Sequence, residues 1–131
     1  MKMKLMLFIR ILTLLYIVVV TVLSLVNISG DTVPFHIPHI DKVVHFCFYF
    51  GFNLMLLTSL SCFHTFLKRK VMLLITGFTI TYSASIELVQ SQIGRSCELA
   101  DLAANTLGAT VAVLLFALAQ SRMRYKLPSR K

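Results

Sequence analysis

The chain has 131 residues, of which 57% are hydrophobic and only 14% are charged, and its mean hydropathy is +0.82. An ordinary soluble domain is about one quarter charged, and a small one leaves much of its surface in water. Thirteen basic and five acidic side chains supply too little polar surface for that, so the composition excludes an ordinary soluble domain and predicts an integral membrane protein.

Four apolar stretches are long enough to cross a bilayer, because a helix needs roughly 20 mainly apolar residues to span the hydrocarbon core. The predicted helices cover about residues 5–28, 43–63, 71–90 and 97–120, and a basic tail follows at 121–131. We therefore expect an all-α fold, an integral membrane four-helix bundle that forms a single domain over residues 1–131.

The first apolar stretch follows Lys2 and Lys4, as in a secretory signal. It is longer than the apolar region of a typical signal peptide, and no A-x-A-like cleavage site follows it. We expect a retained transmembrane helix, with cleavage as the alternative. Since this helix carries no motif residue, its expected role is that of a scaffold.

Basic residues are concentrated on one predicted side of the membrane. They lie at the N terminus, between the second and third helices, and in the tail: Lys2, Lys4, Arg10, Lys68, Arg69, Lys70, Arg122, Arg124, Lys126, Arg130 and Lys131. The other side has Lys42, Arg95 and all five acidic residues. Cytoplasmic loops carry the excess of Lys and Arg, so both termini are expected in the cytoplasm. These loops explain the net charge of +8, and nucleic-acid binding is not expected.

The second predicted helix begins within PHIDKVVHFCFYF, where Asp41 is the candidate N-cap because two prolines keep the preceding chain extended. His45, Tyr49 and Asn53 follow at intervals of four residues. Lys42 and His45 are candidate binding residues at the outer end of this helix. The alternatives are structural: Asp41 would only cap the helix, and His45 would be a hydrogen-bonded histidine at the membrane interface without a ligand.

The third predicted helix carries a polar stripe at intervals of three and four residues: Thr76, Thr79, Ser83, Glu87 and Gln90. If the helix starts at Val71, Glu87 lies about 24 Å along it, just inside the outer interface. A carboxylate at that depth should face protein or water, and it marks a partner or a function. The alternative is a buried Glu87–Arg95 pair that fixes helix packing.

In the fourth predicted helix Ser96 is the candidate N-cap and Glu98 lies in the first turn. One face of this helix then changes from polar to small residues: Asp101, Asn105, Gly108 and Ala112. The small residues predict a seam of close helix packing beneath a polar site. For Asn105, a hydrogen bond across helices without further role is the alternative.

Four residues form the pattern H-x-x-H-x-D-x-x-x-H, whose residue types can bind a metal: His36, His39, Asp41 and His45. Two prolines place the first two histidines on an irregular loop, whereas zinc requires a fixed ligand set. We therefore predict no metal and no other cofactor. The three cysteines form no C-x-x-C pair, and a disulfide framework is not expected.

The segments DKVVHF and ELVQSQIGRSCELADLAANTLG resemble the VanZ-like membrane proteins, whose pattern is D-K-x-x-H, then E-x-x-Q, R and D-x-x-x-N-x-x-G. The resemblance covers roughly residues 41–112. Its pattern positions are Asp41, Lys42, His45, Glu87, Gln90, Arg95, Asp101, Asn105 and Gly108. Many members carry a second glycine where this chain has Ala112. The resemblance implies a multi-pass protein of the bacterial cytoplasmic membrane, in a family named for resistance to the glycopeptide teicoplanin.

Our preferred hypothesis is a cell-envelope protein whose outer site binds a polar, anionic head group, from a cell-wall precursor or a glycopeptide antibiotic. Lys42 and Arg95 would contact phosphate or carboxylate. Other residues would orient the head group, hold the two basic side chains in place, or accept hydrogen bonds from sugar and peptide donors: His45, Glu87, Gln90, Asp101 and Asn105. Membrane lipid is the other expected partner.

Two alternatives remain open. The first is a small membrane enzyme acting on an envelope lipid head group, with His45 or Glu87 as acid or base, although no secure catalytic motif is present. The second is a structural clasp or subunit contact without a ligand, and self-association is left open. Transport is disfavoured, because transport carboxylates usually lie near the membrane midplane.

Overall fold

The computed structural model describes residues 2–26, 39–61, 66–93 and 98–126. These ranges form four helices without a strand: α1 (Lys2–Leu25), α2 (Ile40–Ser61), α3 (Arg69–Gln92) and α4 (Leu99–Lys126). All four are long and apolar enough to cross a membrane. The predicted all-α membrane bundle is confirmed.

The helices alternate in direction, so that α1 and α3 end, and α2 and α4 begin, at the same end of the bundle. We call this end, around residues Leu25, Ile40, Gln92 and Leu99, the polar end. The opposite end, where α3 begins with Arg69 and Lys70, is the basic end. Because neighbouring helices run in opposite directions, the polar stripes predicted on α2, α3 and α4 converge at the polar end.

The expected N-cap of α2 was wrong. The helix begins at Ile40, and the carbonyl of His39 accepts the first helical hydrogen bonds, from the N–H groups of Lys42 (3.2 Å) and Val43 (3.4 Å). His39 has a φ of 62°, in the left-handed region that His enters more readily than most residues. Asp41 therefore lies in the first turn, where its carboxylate still faces the positive end of the helix dipole.

A similar shift occurs at the start of α4. The carbonyl of Glu98 accepts hydrogen bonds from the N–H groups of Asp101 (3.0 Å) and Leu102 (3.3 Å), so Glu98 occupies the N-cap position rather than the first turn. Asp101 lies in the first turn, and Ser96 is outside the described residues. Thus both α2 and α4 carry an acid in the first turn, next to the free N–H groups of the helix.

Helix α4 also continues beyond the end expected near residue 120. The segment up to Lys126 lacks glycine and proline, so nothing in it breaks the helix, and the first part of the expected tail is helical. Near this end the guanidinium of Arg124 lies 4.6 Å from the ring centre of Phe66. This cation–π contact joins the end of α4 to the segment before α3.

Helices α2 and α4 share the most extensive contact in the bundle. Gly108 makes their close approach feasible, because a Cβ atom at this position would overlap the carbonyl oxygen of Phe46 and would lie 3.0 Å from the backbone nitrogen of Phe50. Ala112, one turn further along α4, is fully buried. Small residues at these positions allow two backbones to approach each other in lipid.

Helix α1 packs on α2 and α3. The Tyr16 hydroxyl donates to the carbonyl oxygen of Phe48 (3.2 Å), and the hydroxyls of Thr21 and Tyr82 lie 2.6 Å apart. Most of the remaining α1 surface is exposed and apolar, as expected for a helix that faces lipid. Helix α1 is thus a peripheral helix that is hydrogen-bonded to α2 and α3.

An apolar cluster fills the bundle towards the basic end. Its buried members are Leu57, Leu67, Met72 and Ile75. Beside it, the side chain of Gln120 pairs with the backbone of Leu67, accepting from its N–H (2.8 Å) and donating to its carbonyl oxygen (2.9 Å). The interior towards the basic end is therefore mainly apolar, and its buried amide is hydrogen-bonded to the backbone.

Candidate functional site

The structure brings most of the predicted site residues together at the polar end. Helix α2 contributes Asp41, Lys42 and His45, α3 contributes Glu87 and Gln90, and α4 contributes Asp101 and Asn105. Arg95 lies outside the described residues. Glu98, which was not among the predicted binding residues, belongs to the group because it contacts Lys42.

Lys42 is the centre of the outer layer. Its ammonium nitrogen lies 2.7 Å from Asp41 Oδ2, 2.5 Å from Glu98 Oε2 and 2.5 Å from Asp101 Oδ1. An ammonium group has three N–H donors, and here three carboxylates surround it. These four side chains together carry two negative charges in excess, so Lys42 holds α2 and the start of α4 together rather than offering an uncompensated positive charge.

The inner layer consists of His45, Asn105 and Glu87, all of which are buried. His45 Nδ1 lies 3.1 Å from Asn105 Oδ1, and Asn105 Nδ2 donates to Glu87 Oε1 at 3.3 Å. A carboxylate only accepts hydrogen bonds, which orients the Asn105 amide with its nitrogen towards Glu87. Asn105 Oδ1 must then accept from His45, so Nδ1 carries a hydrogen; in the neutral form of this tautomer Nε2 is an acceptor.

Gln90 connects the site to α1. Its amide nitrogen donates to the carbonyl oxygen of Ser24 at 2.6 Å, and the side chain is buried. Ser24 lies in the last turn of α1, where carbonyl groups have no partner within their own helix. Gln90 therefore provides a hydrogen-bond donor to a carbonyl group at the end of α1, and this contact joins α1 to the polar end.

Polar side chains continue inward as a layered polar column, which we define by His45, Glu87, Asn105, Tyr49, Ser83, Asn53, Thr76 and Thr79. At its inner end Asn53 Nδ2 donates to Thr76 Oγ1 (3.1 Å) and to the Ala109 carbonyl oxygen (2.7 Å). Thr79 Oγ1 donates to Asn53 Oδ1 (3.1 Å). One fully buried amide thus links α2, α3 and α4.

The middle layer of the column has unused hydrogen-bonding capacity. The hydroxyls of Tyr49 and Ser83 are buried and have no hydrogen-bond partner in the described part of the chain. They lie one helical turn inward from His45 and Glu87, respectively. The middle of the column is therefore less tightly bonded than the layers above and below it.

The residues available for a metal overlap only in part with the predicted pattern: His45 recurs in a buried group, Asp41 recurs with Glu98 and Asp101 around Lys42, and His36 lies outside the described residues. Within the described ranges, ligand atoms of His45, Glu87 and Asp101 lie within 4.8 Å of one another. However, Asp101 is paired with Lys42, and His45 Nδ1 is bonded to Asn105. A divalent cation would have to displace both interactions beside an ammonium group that repels it. These residues form a bonded network rather than a prepared metal site.

A cavity of about 330 Å³ opens beside the inner layer, between the end of α1 and the start of α2. Its lining residues are Leu23, Ser24, Val26, Ile40, Asp41, Val44, His45 and Phe48. Five of these are apolar, and the polar side chains are those of Ser24, Asp41 and His45. The cavity therefore combines an apolar wall with two groups that can accept hydrogen bonds from a ligand.

Replacing Lys42 by Met should lower the free energy of unfolding in mixed micelles by about 1–3 kcal/mol, because three carboxylates would lose their shared cation. The pair with Asp101 should dominate, since the Asp101 side chain is only 11% exposed whereas those of Asp41 and Glu98 are about half exposed. The matched control is Lys70→Met at the basic end, where Lys70 is exposed. Equal effects of the two substitutions would contradict the role given to Lys42.

Comparison with known proteins identifies the family of this chain. The family model described as VanZ/LLP1 matches residues 3–120, which include all four helices up to the last turns of α4 and every predicted site residue. No curated protein and no solved structure matches the chain. Because the matched segment covers most of the 131 residues, the chain belongs to the VanZ/LLP1 family.

Proposed function

We propose that this multi-pass membrane protein of the cell envelope binds a polar head group with the side chains at its polar end. The observation that supports this most directly is the gathering of buried polar residues from three helices at one end of an otherwise apolar bundle. Polar groups inside a membrane protein are costly and usually serve a partner or a function. Basic residues at the other end favour an orientation with both termini in the cytoplasm and the polar end at the outer surface.

The charges at the polar end favour a particular head-group chemistry. The described residues include four carboxylates, those of Asp41, Glu87, Glu98 and Asp101, and one ammonium, that of Lys42. Since Lys42 is surrounded by carboxylates, it is a weaker candidate for binding phosphate than the sequence suggested, and Arg95 remains the proposed contact for an anionic group. The carboxylates suit hydroxyl and ammonium donors. The sugars and peptides of cell-wall precursors and of glycopeptide antibiotics carry such donors.

A second candidate function is a structural clasp. It is favoured by the number of contacts that the polar residues make with one another, above all the three ion pairs of Lys42. An enzyme is the third candidate, since Nε2 of His45 could serve as a general base beside the cavity. These three functions differ in what the loss of one charge should do.

The test compares the purified protein with its Glu87→Gln and Arg95→Gln variants, with and without a lipid-linked cell-wall precursor or teicoplanin. Glutamine keeps an oxygen that can accept the hydrogen bond from Asn105, so Glu87→Gln should fold. A ligand present at 100 times its Kd should stabilise the parent by about 2.7 kcal/mol, and the variants should lose most of this gain. Lys70→Gln serves as the control for loss of a charge away from the site.

Other outcomes would favour the other candidates. Collapse of both variants, together with no effect of any ligand on the parent, would identify the polar end as a clasp. Conversion of the precursor by the parent but not by a variant that still binds it would identify an enzyme. In a susceptible bacterium, higher tolerance of teicoplanin that depends on Glu87 would support the proposed role in resistance.

A further inference from the structure

The cavity between α1 and α2 differs from the rest of the polar end because it is open on one side and mainly apolar. Leu23, Val44 and Phe48 contribute to its apolar wall, while Asp41 and His45 supply polar groups. Its volume of about 330 Å³ lies at the lower end of the range of small-ligand sites, roughly 300–1,000 Å³. Such a cavity suits an amphiphile better than a wholly polar ligand.

His45 connects this cavity to the buried network. Its Nδ1 faces Asn105 of α4 and Glu87 of α3, at 3.1 Å and 3.7 Å respectively. The two nitrogens of an imidazole ring point in diverging directions, so Nε2 is directed away from Asn105 and Glu87, and His45 is one of the residues that line the cavity. Since the Nδ1 hydrogen is held by Asn105, Nε2 presents a lone pair that can accept a hydrogen bond.

The charge at the cavity complements a positively charged donor. Asp41 lines it with a carboxylate whose side chain is 55% exposed, and although its Oδ2 lies 2.7 Å from the Lys42 ammonium, the three carboxylates around Lys42 leave two negative charges in excess. Among the described residues that line the cavity there is no Lys or Arg. An ammonium group could donate one hydrogen to Asp41 and another to His45 Nε2. A quaternary ammonium has the same charge but no N–H group, so it could satisfy neither acceptor.

We propose that the cavity between α1 and α2 binds one membrane lipid with a primary ammonium head group, which donates hydrogen bonds to His45 Nε2 and Asp41 while a hydrocarbon chain lies along Leu23, Val44 and Phe48. The proposal rests on the proposed function in one respect: the polar end must lie at the level of the lipid head groups. It requires neither a cell-wall precursor nor an antibiotic as ligand.

The test measures lipid retention by native mass spectrometry and the midpoint of thermal unfolding in micelles that contain one added phospholipid. Phosphatidylethanolamine should be retained and should raise the midpoint. Phosphatidylcholine with the same acyl chains should bind about tenfold more weakly, because it offers no N–H donor to a charged acceptor. Equal binding of the two lipids, or of phosphatidylglycerol, would overturn the proposal.

Two variants test the site without relying on the buried histidine. Asp41→Asn removes the charge from an exposed side chain and should weaken retention of phosphatidylethanolamine about tenfold. Val44→Phe should fill the cavity and weaken retention too, whereas Val43→Phe, at an exposed neighbour that does not line the cavity, should leave it unchanged. Identical retention by both phenylalanine variants would exclude this cavity as the lipid site.

The role of His45 has its own readout. Nitrogen NMR of the imidazole should place its hydrogen on Nδ1, and phosphatidylethanolamine should shift the Nε2 resonance. A hydrogen on Nε2 in the lipid-free protein would contradict the proposed geometry. If the precursor stabilises the protein but the two phospholipids bind equally, this inference fails and the proposed function stands. Selective binding of phosphatidylethanolamine without any effect of precursor or antibiotic gives the reverse result.

Discussion

Gly108→Ala is expected to lower the free energy of unfolding by about 1–3 kcal/mol, although it adds only a methyl group. The new Cβ would overlap the carbonyl oxygen of Phe46, which belongs to the backbone of α2 and cannot rotate away. The two helices must therefore separate or shift. The measurement is a denaturant titration in mixed micelles, in which the parent and the variant are compared at the same detergent concentration.

Gly77→Ala provides the matched control. Gly77 lies within α3, is exposed and would bring its Cβ within 4 Å of no other group. Alanine favours a helix over glycine by roughly 0.5–1 kcal/mol, so this variant should be as stable as the parent or slightly more stable. If both alanines changed the stability equally, the close contact between α2 and α4 would not be what Gly108 provides.

The Gly108→Ala substitution should also reach the polar end. The contacts of Lys42 with Asp101 and of His45 with Asn105 join the same two helices, one to two turns from Gly108. A small separation of the helices should lengthen both contacts. We therefore expect the variant to lose ligand-dependent stabilisation even under conditions in which it stays folded.

Asn53→Asp is expected to be the most damaging polar substitution, with a loss of about 3 kcal/mol or more in the free energy of unfolding. Asn53 is fully buried, and its amide nitrogen donates to the Thr76 hydroxyl and to the Ala109 carbonyl oxygen. An ionised aspartate has no donor. It would place a charged carboxylate oxygen against the Ala109 carbonyl oxygen in the apolar interior. The partial negative charge of the carbonyl oxygen would repel it.

Asn53→Leu has nearly the same size and should cost less, about 1–2 kcal/mol, because interhelical hydrogen bonds in membranes are worth only about 0.6 kcal/mol each on average. The two threonines would not be stranded, since Thr76 Oγ1 also donates to the Met72 carbonyl oxygen and Thr79 Oγ1 to that of Ile75. Denaturant titration of both variants gives the comparison. A leucine variant as unstable as the aspartate variant would show that Asn53 acts by donating hydrogen bonds that nothing else replaces.

The sequence was sufficient to predict the spans and the meeting of the polar stripes. Apolar runs of membrane-spanning length determine the four helices, and spacings of three and four place Glu87, Asp101 and Asn105 on faces that converge when neighbouring helices alternate in direction. Local periodicity was therefore enough to identify most of the described residues that share the polar end, and Glu98 is the one that it missed.

Specific partners could not be predicted, because they depend on how distant parts of the chain are arranged. Gln90 bonds to Ser24, 66 residues away, and Lys42 to Glu98, 56 residues away. Both pairings depend on rotations and offsets of the helices that periodicity does not specify. The N-caps were missed for another reason: α2 begins at Ile40 and α4 at Leu99, so His39 and Glu98 occupy the capping positions, whereas side-chain preference pointed to Asp41 and Ser96.

The contact of Asn53 with the two threonines of α3 could be recognised only in part. Its place on the face of His45 and Tyr49 was visible in the sequence, and so was the Thr76–Thr79 stripe on α3. Nothing showed that the two would meet, because their depth in the bundle depends on where α2 and α3 begin. An asparagine in one span and two threonines in the adjacent span, at equal distance from the connecting loop, is the signal that would have indicated this contact.

The apolar cluster of Leu57, Leu67, Met72 and Ile75 has a consequence for the permeability of the membrane. It lies inward of Asn53 and Thr76, where the described part of the polar column ends. Ions or protons that enter from the polar end would meet hydrocarbon side chains before reaching the basic end. A bundle arranged in this way can keep titratable groups accessible to one compartment without short-circuiting the electrochemical gradient that the membrane maintains.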